Sequence, residues 1–256
     1  MRKIVEMISD AFPPDLSSSS PKQVGVNISG GLDSTIILHH AIEKAGLANV
    51  VAYTIETTWN KEEVQAATKV ANHYSVRLKI IPVHAYVDES VQILKGFERP
   101  VFNLWPWFIA RHQKEDGIEV AFIGEGADEH FGGYLAKEYM AAWADHLIFV
   151  MKTYRTIYGK FGIPIEAPFT NLNWQDTIKY HENPQKVALR KAYEHIIPDF
   201  VLAKDKAPPS ISNYKMIWEH ELKQFYHGFV PMDDEEIKKK FNQLMNQKWG
   251  EANKDD

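Results

Sequence analysis

Apolar and polar positions change their rhythm about halfway along the chain. In the first half, Val24, Val26 and Ile28 alternate with Gly25 and Asn27, which predicts a strand over VGVNI. VVAYTI at 50–55, LKIIPV at 78–83 and VAFI at 120–123 predict three more strands, short and apolar enough to be buried on both faces. Between them IILHHAIEKA and EEVQAATKVANHY read as helices, the second with Val64, Ala67, Ala71 and Tyr74 on one side. Asn60 and Glu63 form a capping pair ahead of it. Further helical stretches fall at 87–95 and from 103–112. Strands alternating with such helices predict an α/β fold, a parallel twisted sheet flanked by helices. Ligands of these sheets bind at the carboxyl ends of the strands.

From Tyr134 onward strand signals fade and the pattern is helical: LAKEYMAAWADHLIFVMKTYRTIYGK, PQKVALRKAYEHII, YKMIWEHELKQFYH and EEIKKKFNQLMNQKW. The last starts cap-like at Asp233 and Glu236, and Ile237, Phe241, Leu244 and Met245 share a face that should dock. At the other end, residues 1–12 predict a short amphipathic helix with Ile4, Val5, Ile8 and Phe12 inward. PPDLSSSSPK reads as a flexible connector. The expected organisation is one domain over 1–256 without internal repeats. An N-terminal helix and Ser/Pro linker take 1–20, an α/β core 22–133, a helical, substrate-shaping part 134–249, and a frayed tail 250–256.

Composition narrows the chemistry. There is no cysteine, which removes disulfides, thiolate zinc sites and a cysteine nucleophile together, and agrees with a reducing, cytoplasmic setting. The net charge of −5, from 29 basic and 34 acidic residues, argues against a grip on nucleic acid. Lys238, Lys239 and Lys240 read as a solvated helix face. No apolar run reaches membrane length and no leader pattern opens the chain, so neither a membrane span nor export is expected.

The stretch Ser29–Ser34, SGGLDS, lies between the first strand and the first core helix. A strand, glycine turn and helix start gather backbone N–H groups at the positive end of a helix dipole, an anion site by construction. Two adjacent glycines let the backbone approach a phosphate without a Cβ in the way. The spacing fits neither GxxxxGK[ST] nor GxGxxG. After the fourth strand comes GEGADEHFGGY, with Glu125, Asp128 and Glu129 between glycines. Such acids at a strand end suit Mg²⁺ held between carboxylates and phosphate oxygens. Alone, this loop reads equally well as a solvated surface turn; paired with SGGLDS, the metal–phosphate reading prevails. His39 and His40 are adjacent and do not share a helix face, so no metal is expected there. His130 is expected to stabilise its loop, and Trp105, Trp107 and Trp143 to be core rather than a base-stacking platform.

SGGLDS resembles the PP-loop of ATP pyrophosphatases, and with GEGADEHFGGY it resembles the synthetase domain of the asparagine synthetase family, which also contains β-lactam synthetases. Two further blocks agree. IEAPFTNLNWQ resembles that family's R-x-PF-x-D segment. Lys186-x-x-Leu189-Arg190, followed by Ile197-Pro198 and AKDKAPPS, resembles the region that leads into a lysine-bearing loop. The similarity spans roughly 22–215 and implies an adenine nucleotide alpha hydrolase-like fold with a mostly helical C-terminal half.

The resemblance also implies roles. Ser29, Gly30, Gly31 and Ser34, with Gly124 opposite, would bind ATP. Asp33 and Asp128 would hold Mg²⁺, and Asp33 would also face the nucleotide. Glu125 would be the catalytic acid–base residue and Lys206 the mobile-loop lysine, with Lys204 on the family's arginine. The implied reaction adenylates a carboxylate, aspartate being the first candidate, and amidates it with ammonia or another amine. Departures stand beside this. Glu166 and Ala167 replace the family's arginine and Asn171 its aspartate, which puts the acceptor in question. The glutaminase domain, with its N-terminal cysteine, has no counterpart here, so ammonia or a separate glutaminase subunit is implied. The readings left open are a β-lactam-synthetase-like cyclisation, a tRNA-modifying ligase, and an ATP-binding subunit dependent on a partner. A homodimer is also left open.

Overall fold

Five parallel strands form one sheet in the order β3-β2-β1-β4-β5. They are β1 (Val24–Asn27), β2 (Val50–Glu56), β3 (Arg77–Pro82), β4 (Val120–Phe122) and β5 (Ile165–Glu166). The computed structural model describes residues 2–17, 22–57, 60–83, 89–97, 104–133, 140–180, 184–203 and 234–254. The chain runs outward from β1 through β2 to β3, then returns to place β4 on the other side of β1. The crevice between the carboxyl ends of β1 and β4 is therefore the switch point where such sheets bind ligands.

Alternate strand residues feed two cores, as the two-residue period requires. Val51, Tyr53, Ile55, Ala121 and Ile123 face one side, against Trp107 and Phe108 of α5 (Trp105–Glu115) and Ile157 and Tyr158 of α7 (Met140–Lys160). Val24, Val26, Val50, Ala52, Val120 and Phe122 face the other, against α1 (Arg2–Asp10), α2 (Leu32–Ala45) and α3 (Lys61–Tyr74). Leu189 of α9 (Val187–Ala192) joins that second core. The remaining described helices are α4 (Ser90–Leu94), α6 (Ala127–Phe131), α8 (Trp174–Thr177), α10 (Asp199–Leu202) and α11 (Asp234–Ala252). Ile4, Ile8 and Phe12 are buried as their spacing predicts, with Phe12 stacked on Phe122 at 5.1 Å. Trp107 is core, with Trp105 packed against it; the side chain of Trp143 lies outside the described residues.

Local expectations changed in four places. The connector is not uniformly loose: Pro14–Ser17 is a 3₁₀ turn with Leu16 buried. Asn60 does not cap α3; its Oδ1 accepts from the Thr57 N–H at 2.8 Å and its Nδ2 donates to Ile55 O at 2.9 Å, so it closes the turn after β2. α11 continues past Gly250 to Ala252, where Asn253 Oδ1 accepts from the Gly96 N–H at 2.8 Å. β5, with only two residues, had no period to detect. Of the docking face of α11, Leu244 and Met245 are buried; the side chains of Ile237 and Phe241, and all of YKMIWEHELKQFYH, lie outside the described residues.

Candidate active site

β1 delivers Ser29–Gly31 to the crevice, and at Gly30 glycine is obligatory. Gly30 has φ +71°, and a Cβ on it would lie 2.4 Å from the backbone of Ala66 in α3. Gly31 caps α2 without supplying a side-chain acceptor, so the helix start presents an anion-binding end. Serine hydroxyls close the turn. Ser34 Oγ accepts from the Ser29 N–H at 3.2 Å and donates to Gly31 O at 3.3 Å. Thr35 Oγ1 donates to the same carbonyl at 2.7 Å.

The turn after β4 meets this one directly. A Cβ on Gly124 would stand 3.0 Å from the Ser34 N. Gly126, at φ +97°, starts the short α6, which carries Asp128 and Glu129. Gly133 passes so close that a Cβ would fall 1.6 Å from Asp128 Oδ1, so only glycine fits beside that carboxylate. SGGLDS and GEGADE thus face one another across a single crevice, and Asp33 and Asp128 converge within it.

The group joining them is Lys186. Its ammonium bonds Asp33 Oδ2 and lies 2.6 Å from Asp128 Oδ1, with the side chain almost fully buried. Burial works against its charge, but Asp33 and Asp128 outweigh that and hold its pKa above the usual lysine value. The backbone is bent to put it there: Gln185 and Lys186 both adopt left-handed conformations, φ +63° and +58°. Arg190 clamps this turn by donating to Gln185 O at 2.9 Å and also holds the Leu202 carbonyl. The helical pattern over 184–197 placed Lys186 inside a helix; α9 starts only at Val187. Two carboxylates meeting at one cation are a hard-oxygen donor set, which fits Mg²⁺.

Glu125 is half-buried beside these acids. Burial first, then the charges of Glu129, Asp128 and Asp33, push its carboxyl up to about 7. Tyr154 of α7 donates to Glu125 Oε1 at 3.5 Å and pulls the other way. One turn on, Tyr158 OH accepts from Asn27 Nδ2 at 2.9 Å, and Asn27 Oδ1 accepts from Gln113 Nε2 at 3.0 Å. Burial raises both tyrosines, so both hydroxyls stay protonated. Tyr154 escaped the sequence reading; two tyrosines four apart on an apolar helix were the available signal.

Other expected residues separate from the crevice. His130 Nδ1 bonds Thr177 Oγ1 at 2.8 Å and its ring meets Trp174 at 5.6 Å, a loop-bracing arrangement. Asn171 Nδ2 donates to Ala11 O at 3.3 Å, tying the segment to the N-terminal helix rather than to an acceptor pocket. Glu166 sits in β5, where its carbonyl accepts from the Ile123 N–H at 3.0 Å. Lys204 and Lys206 lie outside the described residues. His39 and His40, expected to point apart, both reach Glu43.

The sequence model of the family described as Asparagine synthase matches residues 16–158, more than half of the chain. The chain belongs to the asparagine synthase family. A probable glutamine-hydrolyzing asparagine synthetase of Acanthamoeba polyphaga mimivirus is 25% identical over 236 residues, which cover 79% of this chain and 42% of that protein. The glutamine-hydrolyzing asparagine synthetase B of Escherichia coli is 25% identical over 244 residues, covering 78% and 43%. The chain therefore spans less than half the length of these relatives. Among solved structures, the U34-tRNA thiolase NcsA of Methanococcus maripaludis superposes with TM-score 0.50 at 13% identity, covering 95% of this chain and 79% of that one, a likeness of fold. Within the asparagine synthase family fold, the region matched by the family model includes both glycine turns and Tyr154, and ends ahead of Lys186.

Proposed function

We propose that this asparagine synthase family chain is an ATP-dependent amide-forming ligase. It adenylates a carboxylate, with aspartate the first candidate, releases pyrophosphate, and transfers the acyl group to ammonia or another amine. The observation carrying this reading is the crevice at the β1/β4 switch point, where SGGLDS faces Asp128 and a half-buried Glu125.

Each residue has a physical task in that scheme. Ser29, Gly30, Gly31 and Ser34 bind the β,γ-phosphates through N–H groups, hydroxyls and the positive end of α2, and Gly124 keeps the opposite wall close. Asp33 and Asp128 would hold Mg²⁺, which supplies charge neutralisation for the leaving pyrophosphate. Lys186 brings a positive charge to the same point and can stabilise negative charge that develops there. Lys206 is retained as a second phosphate-facing lysine. Glu125, poised near neutrality, can take the proton from the nitrogen of ammonia or an amine as it bonds to the acyl carbon of the acyl-adenylate and AMP leaves. Tyr154 orients the carboxylate by holding Oε1, which leaves the other oxygen for the amine.

The amine source follows from what the sequence offers. These 256 residues contain no cysteine for glutamine hydrolysis, so the nitrogen would reach the crevice as ammonia made elsewhere or as another amine. Incubation with Mg·ATP, ammonia and a panel of carboxylates tests the reading by pyrophosphate and AMP release. Release dependent on one carboxylate supports it; release with none, or formation of ADP, contradicts it.

A further inference from the structure

Away from the crevice, the second half of α2 gathers donors that the ligase reading does not use. His39, His40 and Glu43 bring one ligand atom each within 4.8 Å of the others, the one such group among the described residues. His39 Nε2 lies 3.4 Å from Glu43 Oε1, and His40 Nδ1 lies 3.0 Å from Glu43 Oε2. Each carboxylate oxygen therefore faces a different imidazole. An ideal helix would splay neighbouring side chains by about 100°. Here the surroundings swing them together. His40 Nε2 is held by Tyr193 OH at 2.6 Å, and the His39 ring packs on Tyr74 at 6.0 Å.

The two nitrogens of His40 have different duties. Without an ion, Nδ1 carries the proton and donates it to Glu43; ligation through Nδ1 would move the ring proton to Nε2, donated to the Tyr193 oxygen. An outer hydrogen bond of this kind fixes the tautomer and orientation of a metal-binding imidazole. Tyr74 adds a third element. Its hydroxyl is buried without a hydrogen-bond partner among the described residues. A water on a bound ion would give that hydroxyl a partner.

Two neutral imidazoles and a carboxylate are the three-ligand set of open zinc sites, whereas Mg²⁺ prefers oxygen alone. We propose that His39, His40 and Glu43 form a binding site for a divalent transition metal of the zinc class. The site stands roughly 9 Å along the α2 axis from Asp33. Through Tyr193 and Tyr74 it fastens α2 to the turn after α9 and to the end of α3.

The test titrates the metal-free full chain with Zn²⁺ alone, without ATP, by calorimetry, and with Co²⁺ by visible absorption. One equivalent should bind, and Co²⁺ should show the bands of low coordination number. His39→Ala and Glu43→Gln, at partly exposed positions whose change leaves the fold measurable by circular dichroism, should weaken binding at least tenfold. His112→Ala, which removes the separate His112–Glu115 pair, should leave it unchanged. Absence of stoichiometric binding, or equal binding by His39→Ala, Glu43→Gln and the parent chain, would overturn the proposal.

Discussion

At the two glycine turns of the crevice the backbone builds the walls. Gly30, Gly124, Gly126 and Gly133 are there because a Cβ would strike α3, α2, Thr170 or Asp128. Between these turns, long side chains reach in from elsewhere: Lys186 from ahead of α9 and Tyr154 from α7. A wall made of backbone tolerates almost no substitution and leaves a dense string of glycines in the sequence. One made of side chains depends on where distant helices dock, and it can be re-lined one residue at a time.

The sharpest test of this contrast is Lys186→Met. It leaves Asp33 and Asp128 facing each other without their cation, which should cost about 3 kcal/mol in urea unfolding. Pyrophosphate exchange should fall at least a hundredfold, the scale of losing a preorganised charge. An unchanged exchange rate would mean that the glycine-built wall suffices alone.

Glu125→Gln comes next and concerns stability. Because the fold raises this carboxyl to about 7, folding favours its protonated form. The parent chain therefore loses stability as pH climbs from the ordinary carboxylate value near 4.5 to about 7, and the full penalty stands above that. The variant should be more stable than the parent at pH 8, by on the order of 1–3 kcal/mol, and equal to it below about pH 4.5. Thermal melts at both pH values check the sign.

Tyr154→Phe should act on one half of the reaction. Amide formation should slow about tenfold, less than the roughly hundredfold or more that a proton-transferring group itself contributes, with pyrophosphate exchange preserved. Equal losses in both would make the tyrosine a packing residue. Smallest of all is Asn171→Asp, which restores the family's residue at a position bonded to Ala11 O. Its effect on substrate choice should be nil, and a changed carboxylate preference would reopen that segment as part of the acceptor site.

The same contrast explains what could be read beforehand. SGGLDS and GEGADE were legible because their geometry is local: a strand, a tight turn and a helix start adjacent in sequence. The α/β alternation gave β1 to β4 and their flanking helices for the same reason. In the sequence Lys186 reads only as part of a helical motif, because its place in the crevice depends on two left-handed residues that no periodicity announces. Tyr154 is 29 residues from Glu125, and only docking of α7 brings them together. His39 and His40 failed the other way: the helix rule separates them, and Tyr193, 153 residues beyond His40, overrides it.

The central claim is that a carboxylate attacks the α phosphate in the crevice between β1 and β4. Mass spectrometry of the AMP formed from an ¹⁸O-labelled carboxylate substrate tests it most directly. One ¹⁸O atom in each AMP is the predicted result. Unlabelled AMP, or label appearing in inorganic phosphate with ADP as co-product, would contradict it.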